Sequence, residues 1–284
     1  MSTKIQRPAL RYHGGKFRLA PWILRFMPPH LCYVEPFGGA AGVLIQKPRS
    51  YAEVYNDLDG DIVNFFRVLR DPATREQLRQ ACELTPYARA EFGLAWEPTG
   101  DAVARARRTA IRAAMRFGSA GATKGSTGFR TDTRRQYGTA QDNWRDYPPV
   151  ISDVGRRFER VLIENRPAVD VMLQHDSPTT LHFVDPPYMH ETRVTRAKGG
   201  YRHEMSDDEH EDLLAVLNGL QGMVMLCGYD SPLYADQLRT WCVETTDALA
   251  SGGRGTIVKR ESLWMNRACR NAQLGIRGGL FEAA

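Results

Sequence analysis

The sequence predicts an α/β protein, a doubly wound sheet interrupted by an inserted, mainly helical segment. Three observations lead to this. Short apolar runs alternate with helical periodicities near the start of the chain and again in its second half, as βαβ units do. The first such run leads into a glycine-rich turn, Gly38-Gly39-Ala40-Ala41-Gly42. Between the two halves, over residues 73–160, the alternation stops and only helical patches remain. The scaffold is thus expected to be discontinuous, 1–72 plus 161–284, with 73–160 as an inserted domain.

Each element has its own signal. Leu19, Trp22, Ile23 and Phe26 recur at helical spacing, and Leu31–Glu35 and Ala52–Tyr55 read as strands, with a helix expected between them after the glycine turn. Ile62, Phe65, Phe66 and Leu69 share one helical face. In the insert, Val103, Ala106, Ala110, Ala114 and Phe117 face one way, while Arg105, Arg108, Arg112 and Arg116 form a separate stripe. Strands resume at Val161–Ile163, Leu181–Val184 and Met223–Cys227, with a helix through Leu213, Leu214, Leu217 and Leu220 before the last. Ser231-Pro232 opens a helix through Tyr234, Leu238 and Trp241. The final strands are expected at Thr256–Val258 and Ser262–Met265.

Composition excludes several classes. The 284 residues are 42% apolar and 25% charged, which rules out a wholly disordered or fibrous chain. The Met223–Cys227 run falls far short of the ~18 apolar residues a membrane span needs. The first residues carry charge and no apolar signal core. Five cysteines (Cys32, Cys82, Cys227, Cys242 and Cys269) form no C-x-x-C pair, which argues against a disulfide framework or structural zinc. The expectation is a cytoplasmic protein without a metal. Net charge is only +5, but it is unevenly spread. Val103–Arg135 holds nine basic residues and one acid, a net of +8 that leaves the rest at −3. Such an island suits a polyanion.

Two motifs carry chemistry. Small residues after the first strand let a ligand approach the backbone closely, and Asp57 ends the next strand, where a carboxylate can hold ribose hydroxyls. The dinucleotide fingerprint G-x-G-x-x-G fails, since position 40 is Ala and position 43 is Val. Asp185-Pro186-Pro187-Tyr188 is sharper. Its prolines stiffen the backbone and present carbonyl acceptors, beside a carboxylate and an aromatic ring. That set suits a planar ligand bearing an amino group.

Together these segments resemble the Dam-like DNA adenine N-6 methyltransferases. Arg11-Tyr12-His13-Gly14-Gly15-Lys16 is similar to the family's cofactor-binding opening, and Tyr33-Val34-Glu35-Pro36-Phe37-Gly38-Gly39 to its first-strand motif. Asn56-Asp57-Leu58-Asp59 resembles its ribose-binding segment and Asp185–Tyr188 its catalytic loop, while Glu261–Asn266 resembles a late-strand element. The resemblance implies a Rossmann-like class I methyltransferase domain using S-adenosylmethionine. It assigns Asp185, Pro186, Pro187 and Tyr188 to catalysis, and Tyr12, His13, Lys16, Glu35, Pro36, Phe37, Gly38, Gly39, Asp57 and Asp185 to the cofactor. The insertion would recognise double-stranded DNA, with Arg105, Arg108, Arg112, Arg116, Lys124, Arg130, Arg134 and Arg135 as candidate contacts. The implied reaction methylates the exocyclic nitrogen of an adenine flipped from the duplex, with Tyr188 as a stacking platform. A monomer is expected, and a cognate restriction endonuclease is compatible with such an enzyme. RNA adenine and DNA cytosine N-4 methyltransferases on the same fold, and a non-catalytic DNA-binding protein, stay open as alternatives.

Overall fold

The computed structural model describes residues 5–117, 128–131, 139–189, 202–252 and 255–275. Five strands run parallel: β1 (Cys32–Glu35), β2 (Ala52–Asn56), β3 (Leu162–Glu164), β4 (Thr180–Val184) and β5 (Met223–Gly228). Every residue of β4 and β5 is buried, so their sequences read as continuous runs instead of alternating ones. Two long strands, β6 (Cys242–Gly252) and β7 (Gly255–Met265), pair antiparallel with each other, and β7 pairs antiparallel with β5. The sheet order is β3-β2-β1-β4-β5-β7-β6. Strand succession moves outward from β1 to β3, then restarts at β4 on the other side of β1. This reversal between β1 and β4 opens a crevice at their carboxyl ends, the place where open α/β sheets bind ligands.

The helices are α1 (Ala20–Ile23), α2 (Gly60–Arg70), α3 (Pro72–Glu83), α4 (Arg89–Leu94), α5 (Ala102–Met115), α6 (Ala140–Arg145), α7 (Pro148–Phe158), α8 (Ala168–Gln174), α9 (Asp207–Gly219), α10 (Pro232–Gln237) and α11 (Arg267–Gln273). Local chemistry fixes their starts. The side chains of Asp59, Asp71 and Asp101 cap α2, α3 and α5, and Ser206 with Glu209 forms a capping box on α9. No described helix is long and apolar enough to cross a membrane, and all five cysteines are free thiols.

The structure departs from the sequence expectations in three places. No regular helix forms between the glycine turn and β2: Leu44 N–H is drawn to the Glu35 carboxyl, only Ile45 and Lys47 make i→i−4 bonds, and Pro48 follows. The two expected final strands are one, β7, and its partner β6 carried no apolar pattern because edge strands are only half covered. Phe117 lies beyond the end of α5 and is 67% exposed, so it is not part of that helix's apolar face. The described residues of 73–160 pack into the same hydrophobic cluster as the flanking segments. One hydrophobic cluster holds Leu78, Ile111 and Phe158 together with Phe65, Phe66 and Tyr55, and Phe158 of α7 stacks on Phe66 of α2 with ring centroids 4.5 Å apart.

Candidate active site

The crevice is built from the ends of β1, β2 and β4. After β1 the chain turns through Pro36–Gly39, and Gly38 is required there. Its Cβ would stand 2.1 Å from the Tyr55 ring, well inside contact distance. Tyr55, from β2, donates its hydroxyl to the Gly39 carbonyl at 2.6 Å, and Gly38 N–H donates to the Asn56 carbonyl at 2.7 Å. Asn56 is fully buried. Its amide nitrogen donates to the carbonyls of Pro36 (2.8 Å) and Arg166 (3.0 Å), while its oxygen accepts from Arg166 N–H (3.0 Å). One side chain thus ties together the chain leaving β1, β2 and β3.

Asp57 follows at the end of β2. One oxygen accepts Gly39 N–H and the other Asp59 N–H, both at 2.8 Å. Burial pushes its carboxyl up to about 6, against the pull of those two hydrogen bonds. Glu35, the last residue of β1, is buried and accepts from the Tyr33 hydroxyl (2.8 Å) and Leu44 N–H (3.1 Å). Burial raises it to about 8, so it is held neutral through most of the physiological range.

The N-terminal motif closes over this floor. The Tyr12 ring lies against Gly39, where a Cβ would come within 2.9 Å of it. Lys16 is 6% exposed; its ammonium donates to the Gly14 carbonyl at 2.9 Å, pairs with Asp185 Oδ1 at 2.8 Å and stands 4.8 Å over the Tyr188 ring. Asp185 follows β4 directly. Burial raises its carboxyl to about 6, and Lys16 opposes the rise. Tyr188 is buried and donates its hydroxyl to Glu261 of β7 at 2.7 Å; its ring meets Tyr229 at 4.5 Å, edge to face.

The structure therefore brings together Tyr12, Lys16, Glu35, Pro36, Gly38, Gly39, Asp57, Asp185, Pro186 and Tyr188. His13 and Pro187 are half-buried beside them, and Phe37 packs against the second apolar cluster, with Val184 and Trp264. The arginine stripe divides. Arg112 and Arg116 are buried, so the four do not form one solvent-facing track, and Arg116 lies past the end of α5. Arg112 bonds Asp61 Oδ2 (3.0 Å) and the Ala95 carbonyl (2.9 Å) under the Trp96 ring. Arg105 pairs with Asp61 Oδ1 at 2.6 Å but is 41% exposed, and Arg108 donates to the Glu97 and Pro98 carbonyls. Arg130 is described, whereas Lys124, Arg134 and Arg135 lie outside the described residues.

Sequence reasoning passed over Tyr55, Asp61 and Tyr229 as site residues, and named Asn56 only as part of the segment resembling a ribose site. Asn56 gave a usable signal, since a polar amide ending an apolar strand must find partners where it is buried. Tyr229 gave none.

Residues 12–245 match the family described as D12 class N6 adenine-specific DNA methyltransferase. Over 73 residues the chain is 30% identical to the DNA N-6-adenine-methyltransferase of Escherichia phage P1, covering 25% of this chain and 9% of that protein. It is 31% identical over 67 residues to the DNA adenine methylase of Serratia marcescens, 24% of each. The chain therefore spans a quarter or less of these curated relatives. A precorrin 8W decarboxylase structure from Methanobacterium thermoautotrophicum aligns with 88% of this chain and 89% of its own at a TM-score of 0.35 and 8% identity. With four fifths of its length inside the family match, this chain belongs to the D12 class of N6 adenine-specific DNA methyltransferases.

Proposed function

We propose that the protein transfers a methyl group from S-adenosylmethionine to the exocyclic N6 of adenine in double-stranded DNA. The observation that carries this is the Lys16–Asp185 pair, which sets an acidic acceptor loop directly beside the glycine turn at the sheet's switch point. The donor set fits the cofactor. Asp57 offers a carboxylate to a ribose diol, and the Gly38–Gly39 backbone under Tyr12 offers close approach to the methionine end. Bound there, the cofactor supplies an electrophilic sulfonium methyl.

The chain's own residues do the rest. The adenine amino nitrogen is a poor nucleophile because its lone pair is delocalised into the ring. The Asp185 carboxylate and the Pro186 carbonyl would accept hydrogen bonds from its two N–H groups, which favours a pyramidal nitrogen and stabilises the positive charge that grows on it. As the N–C bond forms and the S–C bond breaks, leaving a neutral thioether, the nitrogen would lose one proton, by way of Asp185, to water. Fixed placement of donor and acceptor supplies a further part of the rate. Tyr188, held by Glu261, is the platform for a base swung out of the duplex. Arg105 and Arg108 are the described residues of the basic island proposed to meet DNA phosphates. The five free thiols suit a reducing cytoplasm.

The test is incubation of the protein with methyl-labelled cofactor and adenine-containing duplex, followed by mass spectrometry of the nucleosides. N6-methyldeoxyadenosine is expected. N4-methyldeoxycytidine, label only in RNA, or no label would each overturn the reading.

A further inference from the structure

Helix α2 begins just after β2, so its first turn stands at the carboxyl edge of the sheet, the edge that also carries the glycine turn and Asp185. Two carboxylates there gather three arginines. Asp61 Oδ1 accepts from Arg105 Nε at 2.6 Å, and its Oδ2 accepts from Arg112 Nη2 at 3.0 Å and Arg202 Nη1 at 3.1 Å. Arg202 Nη1 also donates to Asp59 Oδ1 at 2.7 Å. The arginines come from distant parts of the chain: Arg105 and Arg112 from α5, Arg202 from the stretch before α9.

The three are not equivalent. Arg112 is buried and donates to Asp61, Thr109 and the Ala95 carbonyl. Arg105 and Arg202 are 41% and 49% exposed. Arg105 donates through Nε, which leaves its two terminal nitrogens, and Arg202 donates through Nη1, which leaves Nε and Nη2. Each remainder is a planar fork of N–H donors, the geometry that grips two oxygens of a phosphate. Because both guanidinium groups rest on the one Asp61 carboxylate, their remaining donors are neighbours at the surface. Charge also favours an anion. Asp59 and Asp61 against three arginines leave one positive charge in excess, at the positive end of α2. Asp57, the next acid, turns its oxygens to the Gly39 and Asp59 N–H groups.

We propose that Arg105 and Arg202 share one backbone phosphate of the DNA, with Asp61 holding their inner edges. This rests on the DNA methyltransferase reading, which already sets Arg105 against phosphate, and deepens it with a contact from outside residues 73–160. In the sheet β2 lies two strand spacings from β4, roughly 10 Å. That is about three base steps along one strand, so the phosphate held here belongs a few nucleotides from the target adenine.

Filter binding of a duplex between about 50 and 200 mM salt tests the site, with wild type, Arg105→Gln, Arg202→Gln, the double variant and Arg202→Lys compared. Losing one phosphate lowers the salt slope by about one unit, so the double variant should lose roughly 3-fold less affinity over this range than wild type. Arg202→Lys should keep the slope and bind more weakly, since an ammonium keeps the charge and lacks the fork. Cofactor titration of Arg202→Gln should match wild type. A wild-type slope in the double variant would overturn the site. So would a drop of about two units, which assigns the arginines to separate phosphates. Weakened cofactor binding with unchanged duplex binding in Arg202→Gln would also overturn it. Methylation is scored on the same preparations. Wild-type product with unchanged slopes rejects the site alone, whereas a flattened slope in the double variant with no product from wild type rejects the parent reading.

Discussion

Lys16 and Asp185 meet at 2.8 Å, joining the N-terminal motif and the loop after β4 into one electrostatic unit. Both side chains are largely shielded from water, and either charge left alone there would be costly. The pairing also keeps a buried carboxylate ionised, which is the state in which it can accept hydrogens from an amine.

Asp185→Ala should abolish methyl transfer, by a factor of at least ~10²–10³, the usual cost of deleting one transition-state hydrogen-bonding group. Cofactor affinity should survive in large part, because the carboxylate's main proposed partner is the target amine. Single-turnover methylation alongside calorimetric titration of the cofactor checks both halves.

Asp57→Ala and Lys16→Ala should weaken S-adenosylmethionine binding more than DNA binding. A charged hydrogen-bond site is worth roughly 1.5–3 kcal/mol, or about 10- to 150-fold in Kd. Unchanged cofactor titrations in both variants would remove these residues from the pocket.

The pH profile follows from the raised carboxylates. Asp185 must be ionised to accept, so kcat/KM should fall on the acidic side with a midpoint near pH 6. Lys16→Ala deletes the charge that favours the carboxylate, so its limb should move to higher pH. Stability runs the other way. Asp57, Asp185 and Glu35 are all raised in the fold, so their contribution is complete below the ordinary carboxylate range and is lost as pH rises through about 6 and then about 8. Thermal unfolding of Glu35→Gln should accordingly vary less than wild type between pH 6 and 8.

The arginines of α5 should separate by burial. Arg112→Ala should destabilise the protein by roughly 3 kcal/mol, the low end for breaking a buried pair, because Asp61 keeps Arg105 and Arg202 as partners. Arg105→Ala, half exposed, should leave the melting temperature within a degree or two and reduce duplex affinity at low salt. Thermal unfolding and filter binding of the two variants distinguish these roles.

Much of the fold was legible because parallel strands buried on both faces leave continuous apolar runs. Leu181–Val184 and Met223–Cys227 fall within β4 and β5 to within a residue at either end. The acid and glycine positions were legible for a related reason: only a few residue types suit a tight turn at the end of a strand. What stayed hidden depended on contacts distant in sequence. Nothing near Arg112 reveals that Asp61 will bury it, and periodicity alone placed it with Arg105 and Arg108 on a solvent-facing stripe. The edge strand β6 stayed hidden because a polar sequence on a half-covered strand reads as a loop.

The core shared by α2, α3, α5 and α7 bears on how target preference is inherited. If residues 73–160 read DNA, they are not a cartridge that relatives can trade. Swapping that stretch alone would set foreign side chains against Phe65 and Phe66 and would strip Asp61 of Arg105 and Arg112. New sequence preferences in this lineage would then arise by changes at exposed positions of the insert, or by exchanges that carry residues 60–70 along with it.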